Sequence, residues 1–296
     1  MSLLYELTSF IGGSIVGSFL NVVINRADTG ESPFIGRSHC PYCKTPLSWW
    51  ELIPIISFFI LRGKCRHCGK KISVQYPLVE LITGLLFAGA TWRLLRLPFF
   101  NIITNLSLGE KTLLLISFLI SLYWISVLII LSVYDWKRYL ILTSVLFPAT
   151  IIAFIWRIII GYLLKSYNFV CLPYFYRYLG ENNFLWGNWS YFSSFFWGII
   201  SSFVIIALIV VISKEKAMGW GDALLAPFLG MILGWPAIIL ALMLSFLIGG
   251  LVSFILILMR KKNLKSHLPF APFLTAGTLT IMLFGDIIIK SYLNLL

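Results

Sequence analysis

Stretches of about twenty apolar residues recur from one end of this chain to the other, and they restrict its fold more than any other feature. A bilayer core about 30 Å thick is crossed by about 20 apolar residues in helical form, each adding about 1.5 Å. Eight candidate spans follow, over residues 5–25, 76–95, 112–133, 140–161, 190–212, 222–235, 237–259 and 270–290. The sixth is short, and Gly234-Trp235-Pro236 marks a tight turn into the seventh. Composition agrees. Hydrophobic residues make up 59% of the chain and charged residues 11%, with a mean hydropathy of +0.93. A soluble domain carries about 25% charged residues, so too few charges remain here to coat a water-facing surface. The expected fold class is an all-α polytopic membrane protein with about eight transmembrane helices. Its 296 residues leave room for one small appended module. The N-terminal apolar stretch has no basic region before it and no cleavage-site pattern, so it reads as the first span.

A net charge of +12 in so apolar a chain points to basic loops retained on the cytoplasmic side. With the N-terminus outside, the loops facing the cytoplasm are 26–75, 134–139, 213–221 and 260–269. They hold 8, 2, 2 and 4 lysines and arginines, 16 of the 23 in the chain. That asymmetry predicts an N-out topology. The opposite loop 162–189, rich in Tyr, Phe, Trp and Asn, reads as an interfacial segment.

Residues 26–75 differ from everything else. Cys40-Pro41-Tyr42-Cys43 and Cys65-Arg66-His67-Cys68 are two CxxC knuckles separated by 21 residues. Each can turn two thiolates to one side, and two such pairs complete a tetrahedral Zn²⁺ site. Nearby Arg37, Lys44, Lys64, Arg66, Lys70 and Lys71 are expected to favour the thiolates. The competing reading is two disulfides, which a reducing cytoplasm disfavours. His39 and His67 are bystanders where four cysteines are present, and Cys171 stands alone on the outer side. A four-thiolate site is coordinatively closed, so it braces the loop and performs no hydrolysis. The stretch between the knuckles, Trp49-Trp50-Glu51-Leu52-Ile53-Pro54-Ile55-Ile56-Ser57-Phe58-Phe59, is apolar enough for the membrane interface. A nucleic-acid reader would be basic there, so no nucleic-acid partner is expected.

Eleven acidic residues make each one near a span informative, because an ionisable group inside a membrane is costly. Glu6, Glu80, Asp135, Asp222 and Asp286 qualify. The topology predicts Asp135, after the third span, and Asp222, opening the sixth, at the same cytoplasmic face. Two carboxylates sharing a site cannot both ionise cheaply, so one keeps a proton. One then activates water while the other donates to a scissile carbonyl, as in aspartic proteases, and the two titrate as a pair. Asp222 ends Gly219-Trp220-Gly221-Asp222, where the glycines permit close backbone approach to a peptide and start the helix beside the acid. Blander readings pair Asp135 with Lys137 or Arg138, and Asp222 with Lys214 or Lys216. Asp286 and Lys290 have the spacing of an ion pair. Glu6 needs no special role, and Glu80 enters the second span near the site.

Taken together, these blocks give the chain a resemblance to the bifunctional type IV prepilin peptidases, the leader peptidase/N-methyltransferase family of GxGD aspartyl proteases. The blocks are Gly17-Ser18-Phe19-Leu20-Asn21-Val22-Val23-Ile24, the paired knuckles flanking Trp-Glu-Leu-Ile-Pro-Ile, Ile72 to Leu81, and GWGD at 219–222 with Leu268-Pro269-Phe270-Ala271-Pro272-Phe273. The resemblance implies a first transmembrane helix over 1–25, a cytoplasmic zinc-binding domain over 26–75 and a protease membrane domain over 76–296. It implies a multi-pass protein of the bacterial plasma (inner) membrane that cleaves prepilins or secretion pseudopilins after a leader glycine. Methylation of the freed N-terminus from S-adenosylmethionine is implied as well. Asp135 and Asp222 would be the catalytic pair, with Gly219, Gly221 and Glu80 supporting and Cys40, Cys43, Cys65 and Cys68 holding Zn²⁺. No motif marks the methyl-donor site. The chain departs from the family pattern in two places: Ile141-Leu142-Thr143 stands where Ile-Pro-Asp is usual, and Leu224 where lysine is common. Two alternatives are a peptidase without methylation and a non-enzymatic zinc-braced membrane scaffold.

Overall fold

The structure, a computed structural model, describes residues 2–96, 108–166, 191–216, 218–260 and 268–293. Cys171 and the expected interfacial stretch beyond Ser166 lie outside them. Nine α-helices form among the described residues: α1 (Ser2–Arg26), α2 (Ile56–Ile60), α3 (Gln75–Arg96), α4 (Leu108–Arg138), α5 (Thr143–Ser166), α6 (Tyr191–Ser213), α7 (Trp220–Leu233), α8 (Ala237–Leu258) and α9 (Ala271–Leu293), with a short 3-10 helix at Trp49–Leu52. Six of them, α1, α3, α4, α5, α6 and α8, are long and apolar enough to cross a membrane, and α7 and part of α9 form shorter apolar helices. Each predicted span therefore falls on a helix. No β-strand occurs among the described residues, only isolated bridges between His39 and Pro46 and between Lys64 and Lys71. Side chains such as Leu208, Val211, Leu247, Leu251 and Phe254 are left exposed. A water-facing surface would not tolerate so much bare hydrocarbon, whereas lipid does. The protein is a multi-pass membrane protein.

Two helix ends differ from the sequence reading. The predicted loop 134–139 is the last turn of α4, so Asp135 is held on a helix. The predicted loop 162–189 begins inside α5, which runs to Ser166.

The chain divides into two compact units, Met1–Leu106 with Ser121–Ile130, and Ser107–Ile120 with Leu131–Leu296. In the first unit α1 and α3 run antiparallel. Gly13 and Gly17, one turn apart, let the backbones meet: a Cβ on Gly17 would stand 2.8 Å from the Glu80 Cα, and one on Gly13 2.9 Å from the Gly84 Cα. Small residues at this spacing are how helices approach closely in lipid, where no hydrophobic force drives association. Polar ties complete the seam. Thr91 Oγ1 donates to Ser9 Oγ at 2.6 Å, and Asn21 Nδ2 donates to the Tyr76 carbonyl at 3.2 Å.

In the second unit α5 and α7 run alongside in the same direction. The start of α7 meets the turn before α5, where Gly221 faces Ile141. Near the other end, Arg157 Nε donates to the Met231 carbonyl at 2.5 Å and Nη2 to Ile232 at 3.2 Å. A guanidinium is thus buried against the C-terminal carbonyls of α7, the end where a helix dipole favours a cation. The 14 residues of α7 reach about 21 Å, short of a hydrocarbon core about 30 Å thick. Helix α7 is a partial span, and Asp222 lies in its first turn.

Candidate active site

Asp135 and Asp222 line one cavity of about 340 Å³ in the second unit. Both are buried, with 6% and 9% of their surface exposed. Asp135 comes from the last turn of α4 and Asp222 from the first turn of α7, and the two carboxylates are near enough to feel each other's charge. The Ala271 N–H, first in α9, is directed at the Asp135 carboxyl group. Asp135 Oδ2 is buried without a hydrogen bond. The Gly219 N–H, at the cap of α7, faces the Asp222 carboxyl group on the third helical residue. Two helix starts, those of α7 and α9, thus direct backbone donors at the pair.

Of the two glycines before Asp222, only Gly221 is sterically demanded. A Cβ there would stand 2.9 Å from Ile141 Cγ1, whereas one on Gly219 would meet nothing closer than the Gly221 nitrogen at 3.9 Å. Tyr139, Glu215, Trp220 and Phe270 also line the cavity, and Trp220 Nε1 donates to Glu215 Oε1 at 2.8 Å. Tyr139 and Glu215 are not marked by the sequence, and Trp220 and Phe270 stand in motif blocks without a role of their own. Their nearness in sequence to the acids, and to the start of α9, was the available signal.

Glu80 lies in the first unit. Its Oε2 accepts the Ile55 N–H at 2.7 Å, so it ties the start of α2 to α3. Ile55 has φ +63°, and the bond holds it in that uncommon conformation. Asp286 lies in α9, and Glu6 lies in α1.

The first unit also contains the cysteine module, and its two knuckles repeat one another. Lys44 N–H donates to the Cys40 carbonyl at 2.9 Å and Cys40 N–H to the Thr45 carbonyl at 3.0 Å. Gly69 N–H donates to the Cys65 carbonyl and Cys65 N–H to the Lys70 carbonyl, both at 2.9 Å. The residue after each CxxC is left-handed, Lys44 at φ +58° and Gly69 at φ +68°. These turns bring the four sulfurs within 4.8 Å of one another, and all four cysteines are thiols. Cys40 and Cys68 Sγ stand 3.9 Å apart. A tetrahedral zinc with Zn–S of about 2.3 Å sets its sulfurs about 3.8 Å apart, so the donor set fits such an ion. Among the described residues no histidine joins the cluster. Disulfides, the competing reading, are absent from it.

The donors that favour thiolates differ from those expected. The Thr45 hydroxyl and N–H hold Cys43 down at about 6, and the Cys68 and His67 N–H groups lower Cys65. Cys68 goes the other way. Although the Lys70 N–H favours its thiolate, burial and the sulfurs of Cys65, Cys43 and Cys40 push it up to about 11. Backbone and hydroxyl donors, not the surrounding ammonium and guanidinium groups, set this pattern. Four crowded sulfurs do not all ionise alone, and a cation among them removes that conflict.

Residues 11–94 match a family model described as the bacterial peptidase A24 N-terminal domain. Residues 113–254 match one described as the type IV leader peptidase family. A Bacillus subtilis (strain 168) protein named prepilin leader peptidase/N-methyltransferase is 30% identical over 287 residues, 97% of each chain. The chain belongs to the type IV leader peptidase family. A relative of the same name from Aeromonas hydrophila is 30% identical over 98% of this chain and 94% of its own length. One from Myxococcus xanthus (strain DK1622) is 54% identical over 84 residues, 28% of this chain and 25% of its own. No solved structure matches. In this chain Cys40, Cys43, Cys65 and Cys68 fall inside the first matched range, and Asp135 and Asp222 inside the second.

Proposed function

We propose that this chain is an intramembrane aspartic endopeptidase that removes the leader of type IV prepilins or secretion pseudopilins and then methylates the new N-terminus. The observation that carries the proteolytic half is the shared cavity: two carboxylates from distant stretches of chain line it. In the proposed reaction one of Asp135 and Asp222 is ionised and takes a proton from water as the oxygen attacks the scissile carbonyl. The other is protonated and donates to the carbonyl oxygen, and collapse of the tetrahedral species returns a proton to the leaving amine. The Gly219 and Ala271 N–H groups face the two carboxyl groups, and Gly221 keeps α7 close against Ile141.

The methylating half rests on the relatives' printed names, and S-adenosylmethionine would supply an electrophilic methyl group to the freed amine. Cys40, Cys43, Cys65 and Cys68 would hold one Zn²⁺ as a closed structural site. The proposed layout is a first span at 1–25, a zinc-binding domain at 26–75 and a protease membrane domain at 76–296. The proposed location is the bacterial plasma membrane, with the N-terminus outside and both module and carboxylates on the cytoplasmic side. The charge asymmetry of the loops supports that orientation.

The test incubates the purified chain in lipid with a prepilin and a methyl-labelled donor. Cleavage with label on the product N-terminus supports both halves. Cleavage without label removes the methyltransferase half, and failure to cleave removes the whole reading.

A further inference from the structure

The cysteine module leaves two apolar segments bare. Phe34 and Ile35 are 82% and 77% exposed, and Trp49 and Phe59 are 78% and 70% exposed. None of the five residues of α2 is buried. Removing one such side chain from water is worth about 1.5–3 kcal/mol, so a water-facing module with this surface would be poorly soluble.

Contacts inside the same unit fix the depth of both segments. The Phe34 ring lies 5.7 Å from that of Phe19, seven residues before the end of α1. At 1.5 Å per residue this is about 10 Å back along the helix. Ile55, the cap of α2, is bonded to Glu80, which sits in the second turn of α3. Both α1 and α3 are membrane spans. The polar layer on each side of the hydrocarbon is about 5–8 Å thick, so both bare segments are drawn to the level where headgroups meet acyl chains. Charge accompanies them. Residues 26–75 hold 8 lysines and arginines against 3 acids, and Arg62 and Lys64 follow α2 directly. Apolar wedges bordered by cations bind anionic lipid surfaces.

We propose that two wedges, Phe34–Ile35 and Trp49–Ile60, seat the cysteine module in the headgroup layer, with an anionic phospholipid surface as their partner. The first knuckle lies between the wedges and the second follows them, so the joined knuckles hold the wedges at a fixed spacing. A metal among the sulfurs would then serve to shape a membrane-seated surface.

The test places photoreactive benzoylphenylalanine at Phe34, at Phe59 or, as a control, at the exposed Lys44, in the full chain in phosphatidylglycerol nanodiscs. After illumination, intact mass is expected to show phospholipid adducts at 34 and 59 and none at 44. No lipid adduct at either wedge, or adducts to a second copy instead, overturns the proposal. In phosphatidylcholine discs the adduct yield is expected to fall, and equal yields overturn the anionic preference. Should the photoreactive chains fail to fold, Trp49→Phe serves in their place. The fluorescence quenched by brominated lipid should drop in this variant, and an unchanged quenched fraction contradicts the proposal.

Discussion

A carboxylate is costly near lipid, and Asp135 and Asp222 are buried in one cavity with a backbone donor directed at each. Gly221 makes that arrangement possible, because any side chain there meets Ile141. Gly221→Val should therefore cost leader cleavage about tenfold to a hundredfold, a loss of about 1.4–2.8 kcal/mol in transition-state stabilisation. Adding Ile141→Ala should recover part of it, as cleavage rates of the single and double variants would show. No recovery would mean that Gly221 acts in some other way. Lys44 offers a stability test. It holds a left-handed conformation that costs a non-glycine residue about 1–2 kcal/mol, and its counterpart in the other knuckle is Gly69. Lys44→Gly is expected to raise the unfolding temperature of the module, and a fall would contradict the knuckle geometry. At this scale the acids and cysteines were legible because so few residues of either kind exist. Ile141, Ala271 and Tyr139 were not, because they reach the site only when α4, α5, α7 and α9 are packed.

Among the elements, α7 is the unusual one. Too short to cross the bilayer, it ends against Arg157, whose guanidinium is bonded to the Met231 and Ile232 carbonyls. Hydrogen bonds to a charged group contribute about 1.5–3 kcal/mol each. Arg157→Met should lower thermal stability and slow cleavage, with Arg157→Lys falling between. Thermal unfolding and cleavage measured on the same preparations would check it. The length of its apolar run and the Gly234-Trp235-Pro236 break mark α7 as a short span in the sequence. Arg157, a cation inside the fourth apolar run, carries the same signal as the acids, but its carbonyl partners emerge only when α5 and α7 are packed. For Glu80 the structure adds a partner that the sequence does not show: its carboxylate accepts the Ile55 N–H. Glu80→Ala should speed hydrogen exchange at Ile55 and through α2, and Glu80→Gln, which keeps an acceptor, should not.

For the whole molecule, the apolar runs carried the fold class, because a bilayer imposes one length on every span and that length can be read by counting. The division into two units was not legible, since it assigns the middle of α4, Ser121–Ile130, to one unit and the rest of that helix to the other. The four-cysteine cluster was, because each CxxC can turn two thiols to one side. One zinc per chain is expected by elemental analysis, falling to none in Cys40→Ser or Cys65→Ser, while a full complement in both would show that the sulfurs do not hold it.

The central claim is that Asp135 and Asp222 act as one unit, and the most direct test is the rate of leader cleavage in Asp135→Asn, Asp222→Asn and the double variant. Groups that act together are grossly non-additive, so each single change should cost roughly 10³-fold or more, with no further loss in the double. Substantial cleavage by either single variant, or losses that multiply in the double, would contradict the shared site.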